Sequence, residues 1–150
     1  MIQILAVSDS DKHFAQAIQE YQKRLWKFVQ CVDIRPAKHS QAHISIQEET
    51  AQIVDILSKK YTDRLKVLLI KEWKQLDSEW FVDLVFWQAH DHTVFVIGGP
   101  YGIDSSLLST HIDKTFSFGA ATMPHWLAKL VLFEQIYRAT TIQQGKKYHY

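Results

Sequence analysis

The sequence is poor in several residue types that mark whole classes of protein. It has one cysteine among 150 residues, so no disulfide can form within the chain, which fits a reducing compartment. Its three prolines and five glycines are scattered, and no repeat or low-complexity segment is present. Because Cys31 falls within a predicted strand, we interpret it as a small core residue rather than as a catalytic nucleophile.

Long apolar runs and an excess of one charge are also absent. No run approaches the roughly 20 residues of a membrane span, and Met1 to Val7 is too short for the core of a signal peptide. We therefore expect no export and a cytoplasmic location. Seventeen Lys and Arg against sixteen Asp and Glu give a formal net charge of +1, so any basic surface for nucleic acid must be local.

The first half of the chain alternates strand-like and helix-like patterns. With 47% hydrophobic residues, it is long enough for one domain, residues 1–150, around a single core. Strands are predicted at Ile2 to Val7, Val29 to Ile34 and Lys66 to Ile70. The apolar stripe of the first intervening helix begins at Phe14, and the second helix carries Ser45 and Glu48 as a predicted capping box. The pattern is βαβα.

The second half continues this alternation. The spacing predicts a helix from about Ser78, and Thr93 to Ile97 is nearly all apolar, as in strands buried on both faces. A short helix (Ser105 to His111), a strand (Lys114 to Phe118) and a long helix (Pro124 to about Thr140) follow. The predicted fold class is α/β, with a mainly parallel sheet flanked by helices.

Two loops after predicted strands are candidates for ligand contact. Gly98-Gly99-Pro100-Tyr101-Gly102 stops a buried strand, and glycines there allow either a tight turn or close approach of the backbone to a ligand. Phe118-Gly119-Ala120-Ala121-Thr122-Met123 also combines small residues with the end of a strand. From the residues alone, a plain loop and a binding loop remain open in both places.

Other polar groups admit structural and functional interpretations. Glu134 and Arg138 share one side of the long helix with Leu127, Leu130, Val131 and Tyr137, at the spacing of an ion pair. In the tail 143–150, lysines and aromatic residues suit contact with phosphate and bases, and the imidazole of His149 suits proton transfer.

His90-Asp91-His92 has no further ligand at a suitable spacing, so we expect no metal site. The five tryptophans are interpreted as core or subunit interface.

Four motifs in order resemble one known family. They are Ile97 to Gly102, Thr122-Met123-Pro124-His125, Glu134 to Ala139, and Tyr148-His149. Together they are similar to the RlmH family of SPOUT methyltransferases over the full length of the chain. The resemblance implies a SPOUT fold with a C-terminal deep trefoil knot, a homodimer, and S-adenosyl-L-methionine bound in the knot. It also implies methylation of N3 of pseudouridine 1915 in helix 69 of 23S rRNA, on the assembled ribosome.

The same resemblance implies roles for particular residues. The catalytic residues would be His125, Arg138, Tyr148 and His149. The cofactor-binding residues would be Leu69, Ile70, Gly98, Gly99, Pro100, Gly102, Phe118, Gly119, Ala120, Ala121, Thr122 and Met123.

The chain departs from the family pattern at several positions. Trp73 stands where relatives commonly have glycine, so its indole would either stack on the cofactor or crowd it. Gly119 replaces a usual serine, Lys129 a usual arginine, and Lys147 a usual proline before Tyr-His, while Tyr150 replaces a basic residue. Two alternatives therefore stay open: a catalytically weak or silent dimer that binds RNA or the ribosome, and an enzyme with a shifted RNA target.

Overall fold

A computed structural model describes residues 1–9, 14–71, 77–88 and 92–146, and all structural statements below concern these residues. It contains five strands and five α-helices. In chain order they are β1 (Ile2–Val7), α1 (Ala15–Arg24), β2 (Val29–Ile34), α2 (Ala42–Lys60), β3 (Leu65–Leu69), α3 (Ser78–Val82), a π-helical stretch (Asp83–Gln88), β4 (Thr93–Ile97), α4 (Ser105–Leu108), β5 (Lys114–Phe116) and α5 (His125–Gln143).

The strands form one sheet in the order β2-β1-β4-β3-β5, and every neighbouring pair is parallel. The predicted α/β class with a mainly parallel sheet is confirmed. Parallel strands present their carboxyl ends at the same edge, and the register brings Leu69 of β3 opposite Ile97 of β4 and Phe116 of β5. The C-terminal knot stays a prediction.

Two hydrophobic cores cover the two faces of this sheet. Successive side chains of a strand point to opposite faces, so Ile4 of β1 enters one core and Leu5 the other. The first core lies under α1, α3 and α5, and the second lies under α2 and α4. All five residues of β4 are buried, which explains its apolar sequence.

Helix α2 begins earlier than the predicted capping box. It starts at Ala42, so Ser45 lies inside the helix, completely buried, and its hydroxyl has no hydrogen-bond partner among the described residues. Glu48 instead contacts His39, with Oε2 2.5 Å from the ring Nε2. The capping-box prediction is wrong because Ser45 faces the core and is too far along the helix to reach a free amide.

Helix α5 is apolar nearly all round and uses one face for the core. Leu132, Phe133 and Ile136 are completely buried there. The side predicted to carry the Glu134–Arg138 pair is only half-buried, including Leu130 and Val131. Apolar side chains on this side of α5 are therefore only partly covered on a single chain.

Smaller differences concern element ends and one tryptophan. β5 ends at Phe116 and α4 at Leu108, earlier than predicted, and residues 117 and 118 thereby join the loop at the carboxyl edge of the sheet. Trp26 is 68% exposed, so its assignment to the core is wrong; the alternative of a subunit interface is not tested. No helix among the described residues is long and apolar enough to span a membrane.

Candidate functional site

A large cavity opens at the carboxyl ends of three neighbouring strands, β4, β3 and β5. Its volume is about 1070 Å³, slightly above the roughly 300–1,000 Å³ common for small-molecule sites. Ligands of open parallel sheets bind at this edge, because the loops that leave the strands surround it and their backbone amides face outward. The cavity is the strongest candidate site in the described part of the chain.

The structure brings nearly all the predicted cofactor-binding residues together around this cavity. Ala120 is the exception: both its neighbours line the cavity, but it does not. The predicted residues that do line it are Leu69, Ile70, Gly98, Gly99, Pro100, Gly102, Phe118, Gly119, Ala121, Thr122 and Met123.

The glycine loop after β4 is folded back on itself. The amide of Gly102 donates to the carbonyl of Gly99 at 3.0 Å, and Gly102 has a φ of 98°, which favours glycine. The loop ends at Asp104, whose carboxylate caps α4 by accepting from the amides of Ser106 and Leu107. These contacts fix the loop that forms one wall of the cavity.

Ser117 joins the loops after β3 and β5, and it was not among the residues predicted for the site. Its side chain is nearly inaccessible to solvent, and Oγ lies 2.8 Å from the carbonyl of Lys71 and 2.9 Å from that of Gly119. It also accepts from the amide of Gly119 at 3.0 Å. A serine close to the end of a predicted strand was the available signal, but the groups that Ser117 contacts are 46 residues away and two residues away along the chain.

The beginning of α5 forms another wall. His125 and Trp126 both line the cavity. Trp126 is stacked on Phe14, with ring centroids 4.1 Å apart, so it bridges the cavity and the segment that leads into α1. Of the two predicted catalytic residues that the structure describes, His125 lines the cavity.

Arg138 lies elsewhere on the same helix. The predicted ion pair is confirmed: Arg138 Nη2 is 2.9 Å from Glu134 Oε1, and each side chain is 23% exposed. Arg138 does not line the cavity and is 13 residues beyond His125, or about 20 Å along the helix axis at 1.5 Å per residue. Tyr148 and His149 lie outside the described residues, as do Trp73, Lys147 and Tyr150.

Lys129 lies on the opposite side of α5 from Glu134 and Arg138. Its side chain is 6% exposed, and Nζ lies 2.5 Å from Asp33 Oδ1 of β2. The same oxygen accepts from the hydroxyl of Ser8, just after β1, at 3.0 Å. A buried charge is tolerated here because it is paired, and the pair ties α5 to two strands.

Cys31 is poorly suited to nucleophilic chemistry. Burial raises the pKa of its thiol to about 12, outweighing the opposite effect of Lys129, and the nearby Asp33 raises it further. The thiol is therefore neutral near pH 7. It is half-buried in β2 and packs against the first core, in agreement with the structural interpretation.

Within the described ranges, no three His, Cys, Asp or Glu side chains are grouped closely enough to hold a metal ion. His90 and Asp91 of the weak metal candidate fall outside those ranges, whereas His92 is described and is exposed.

Comparisons with known proteins agree with this architecture. The family described as "Predicted SPOUT methyltransferase" matches residues 1–149. A Streptococcus equi subsp. equi protein named "Ribosomal RNA large subunit methyltransferase H" is 40% identical over 147 residues, covering 93% of this chain and 92% of the relative. A Leuconostoc citreum protein of the same name is 34% identical over 159 residues, covering 99% and 98%.

A solved structure shows the same fold at low sequence identity. It is a Bacillus anthracis protein assigned as an RNA methyltransferase, with a TM-score of 0.61 and 10% identity, covering 94% of this chain and 95% of that one. The match over residues 1–149 and the identities over nearly the full length of the relatives lead to one conclusion: the chain belongs to the RlmH family of SPOUT methyltransferases.

Proposed function

We propose that residues 1–150 act as one SPOUT methyltransferase domain in the cytoplasm. The proposed reaction is S-adenosyl-L-methionine-dependent methylation of N3 of pseudouridine 1915, in helix 69 of 23S rRNA on the assembled ribosome. The observation that carries the proposal is the cavity at the ends of β3, β4 and β5, enclosed by loops of glycine and other small residues in a chain of this family. The relatives' printed name, a large-subunit rRNA methyltransferase, supports the substrate class.

The chemical character of the cavity fits such a cofactor. Leu69, Ile97 and Phe118 offer apolar surface to a flat base, and Gly98 and Gly119 line the cavity with backbone that no side chain covers. The ring of Phe118 is held edge-on to Phe116 at 5.2 Å, so this wall is supported from the core. The cofactor supplies an already activated methyl group on a sulfonium, and this chemistry needs no metal.

The chain has two tasks in the proposed reaction. It must orient the RNA base in line with the donor, which can contribute several kcal/mol, and it must remove the proton from N3. We assign the proton to His149 or to a water held by the tail, since a base that titrates near neutral pH contributes roughly 10²- to 10⁴-fold. His125 borders the cavity, and Tyr148 and Arg138 are assigned to the RNA side of the site.

The geometry of α5 supports a site composed from two chains. His125 and Arg138 of one chain are separated by about 20 Å along the helix, too far for both side chains to touch one reacting atom. In the proposed homodimer, Arg138 of one subunit completes the site that His125 borders in the other. The half-buried apolar side of α5, with Leu130 and Val131, is the surface we assign to this contact. A composite surface also compensates for the net charge of +1, which gives one chain little electrostatic hold on RNA.

Two measurements test the proposal. Calorimetry with S-adenosylmethionine and S-adenosylhomocysteine should show saturable binding; absence of binding would leave a silent RNA- or ribosome-binding dimer as the function. Mass spectrometry of 23S rRNA from a strain lacking the protein should show loss of the methyl group at pseudouridine 1915, restored by the purified protein on intact ribosomes. If that methyl group persists and another site loses one, the target is shifted and the proposed specificity is wrong.

A further inference from the structure

The glycine loop of the cavity rests on a buried acidic side chain that does not itself line the cavity. Glu49 of α2 is 2% exposed, and its Oε1 accepts a hydrogen bond from the amide of Ala37 at 2.9 Å. Its Oε2 is buried and has no hydrogen-bond partner among the described residues. An unpaired buried carboxyl oxygen costs free energy, so its presence calls for a structural or functional explanation.

That oxygen lies against Gly99. A Cβ placed on Gly99 would be 2.3 Å from Oε2 of Glu49, closer than real Cβ atoms approach, and it would be in tight contact with Cδ of Glu49 at 3.0 Å and with Cγ1 of Val7 at 3.1 Å. Gly99 also lines the cavity. Gly99 therefore lies directly between the carboxyl group of Glu49 and the cavity. The position of Glu49 limits how far the loop can move toward α2.

A second contact from the same helix fixes the other end of the loop. Thr50, completely buried beside Glu49, accepts from the amide of Asp104 at 3.0 Å. Asp104 in turn caps α4. Neighbouring side chains of α2 therefore hold both ends of the segment from Gly99 to Asp104, which lies between the second core and the cavity.

We propose that Glu49 is a positioning residue for the glycine loop: its carboxyl group sets the place of Gly99, and so the shape of the adjoining cavity wall. Burial raises the pKa of this carboxyl group, as expected for a group kept out of water, while the hydrogen bond from Ala37 acts in the opposite direction. The consequence for cofactor affinity rests on the proposed function, whereas the consequence for loop order does not.

The first experiment measures amide hydrogen exchange in the loop without any ligand. Glu49→Ala should speed exchange at the amides of Gly102 and Asp104 at least tenfold, and Glu49→Gln, which keeps the shape and the oxygen bonded to Ala37, should stay within about twofold of the parent protein. Glu48→Ala is the matched control, because Glu48 is the preceding residue but lies on the exposed side of α2. Unchanged exchange in Glu49→Ala would overturn the proposal.

The second experiment is a double-mutant cycle read by the dissociation constant for S-adenosylmethionine. Gly99→Ala should weaken binding about tenfold in the parent protein, but by at most about threefold once Glu49→Ala has removed the obstructing oxygen, because the tight contact with Cγ1 of Val7 at 3.1 Å remains. Gly102→Ala is the control: its strain comes from the backbone, with no atom within 4 Å of the added Cβ, so its effect should be equal in both backgrounds. An equal loss for Gly99→Ala in both backgrounds would contradict the proposed contact.

Two further points separate the possible failures. If Glu49→Ala does not fold, Glu49→Asp replaces it, because the shorter side chain withdraws the carboxyl group from Gly99 and the same cycle applies. If the parent protein does not bind S-adenosylmethionine, the proposed function fails, while the exchange experiment still decides whether Glu49 positions the loop.

Discussion

Removing Asp33 should destabilise the protein far more than removing the amino group of Lys129, although both changes break the same ion pair. Nζ of Lys129 and Oδ1 of Asp33 are 2.5 Å apart, but the two side chains are buried to different extents. The Lys129 side chain is 6% exposed, and the Asp33 side chain is 49% exposed. Asp33→Ala leaves a buried ammonium whose remaining described hydrogen-bond partner is the Ser8 hydroxyl at 3.5 Å. Lys129→Met leaves a carboxylate that water already reaches, and an apolar chain of similar length in the buried space.

The expected magnitudes follow from this unequal burial. An unpaired buried charge costs roughly 3–5 kcal/mol, and we expect about 3 kcal/mol for Asp33→Ala, because water can enter where the half-exposed carboxylate stood. For a chain of this size that corresponds to roughly 6–12 °C in Tm. For Lys129→Met we expect at most about 1 kcal/mol.

Urea unfolding followed by circular dichroism gives both changes in the free energy of unfolding, provided that the slope of this free energy against urea concentration is the same in the variants and in the parent protein. The exposed pair Lys59–Asp55, 2.6 Å apart with side chains 71% and 57% exposed, is the matched control. Lys59→Met should cost less than about 1 kcal/mol. If Lys129→Met is as destabilising as Asp33→Ala, burial of the ammonium does not decide the energetics and the reasoning is wrong.

Four further outcomes are expected. His149→Ala should lower rRNA methylation roughly 10²- to 10⁴-fold while leaving S-adenosylmethionine binding intact; a normal rate across pH would refute the assignment. Leu130→Asp should shift sedimentation toward monomer and Leu107→Asp, on the other side of the sheet, should not; equal behaviour would reject α5 as the dimer surface. Cys31 should react with iodoacetamide far more slowly in the folded than in the urea-unfolded protein, since its thiol pKa is raised to about 12; equal rates would contradict this. Because the pKa of Glu49 is raised in the folded state, the contribution of Glu49 to the free energy of unfolding should fall as pH rises from about 4.3 through the raised pKa. Urea titrations at several pH values should show that Glu49→Gln removes this contribution to the pH slope, and an unchanged slope would contradict it.

The fold was predictable from local patterns because each pattern reports burial. The apolar run Thr93 to Ile97 indicates a strand covered on both faces, and that strand is the centre of the sheet. The start of α2 was not predictable in the same way. Ser45 and Glu48 have the spacing of a capping box, but that spacing also occurs inside a helix, and tertiary packing puts Ser45 in the core.

The candidate site was predictable as two loops but not as a cavity with its supports. Glycines and small residues after strands indicate loops at the carboxyl edge, and the register of β3, β4 and β5 brings these loops together. Ser117 and Glu49 were not predicted, because the role of each depends on a partner distant along the chain. Ser117 contacts the carbonyl of Lys71, and Glu49 contacts Gly99.

The sequence by itself determined the alternation of strands and helices, the family motifs and the Glu134–Arg138 pair, since all of these are set by residue type and spacing along the chain. The tertiary structure decided which face of α5 is buried, how far His125 lies from Arg138, and that Glu49 stands behind Gly99. Such facts depend on how elements far apart in sequence pack against one another, and packing in three dimensions is not encoded in any local pattern.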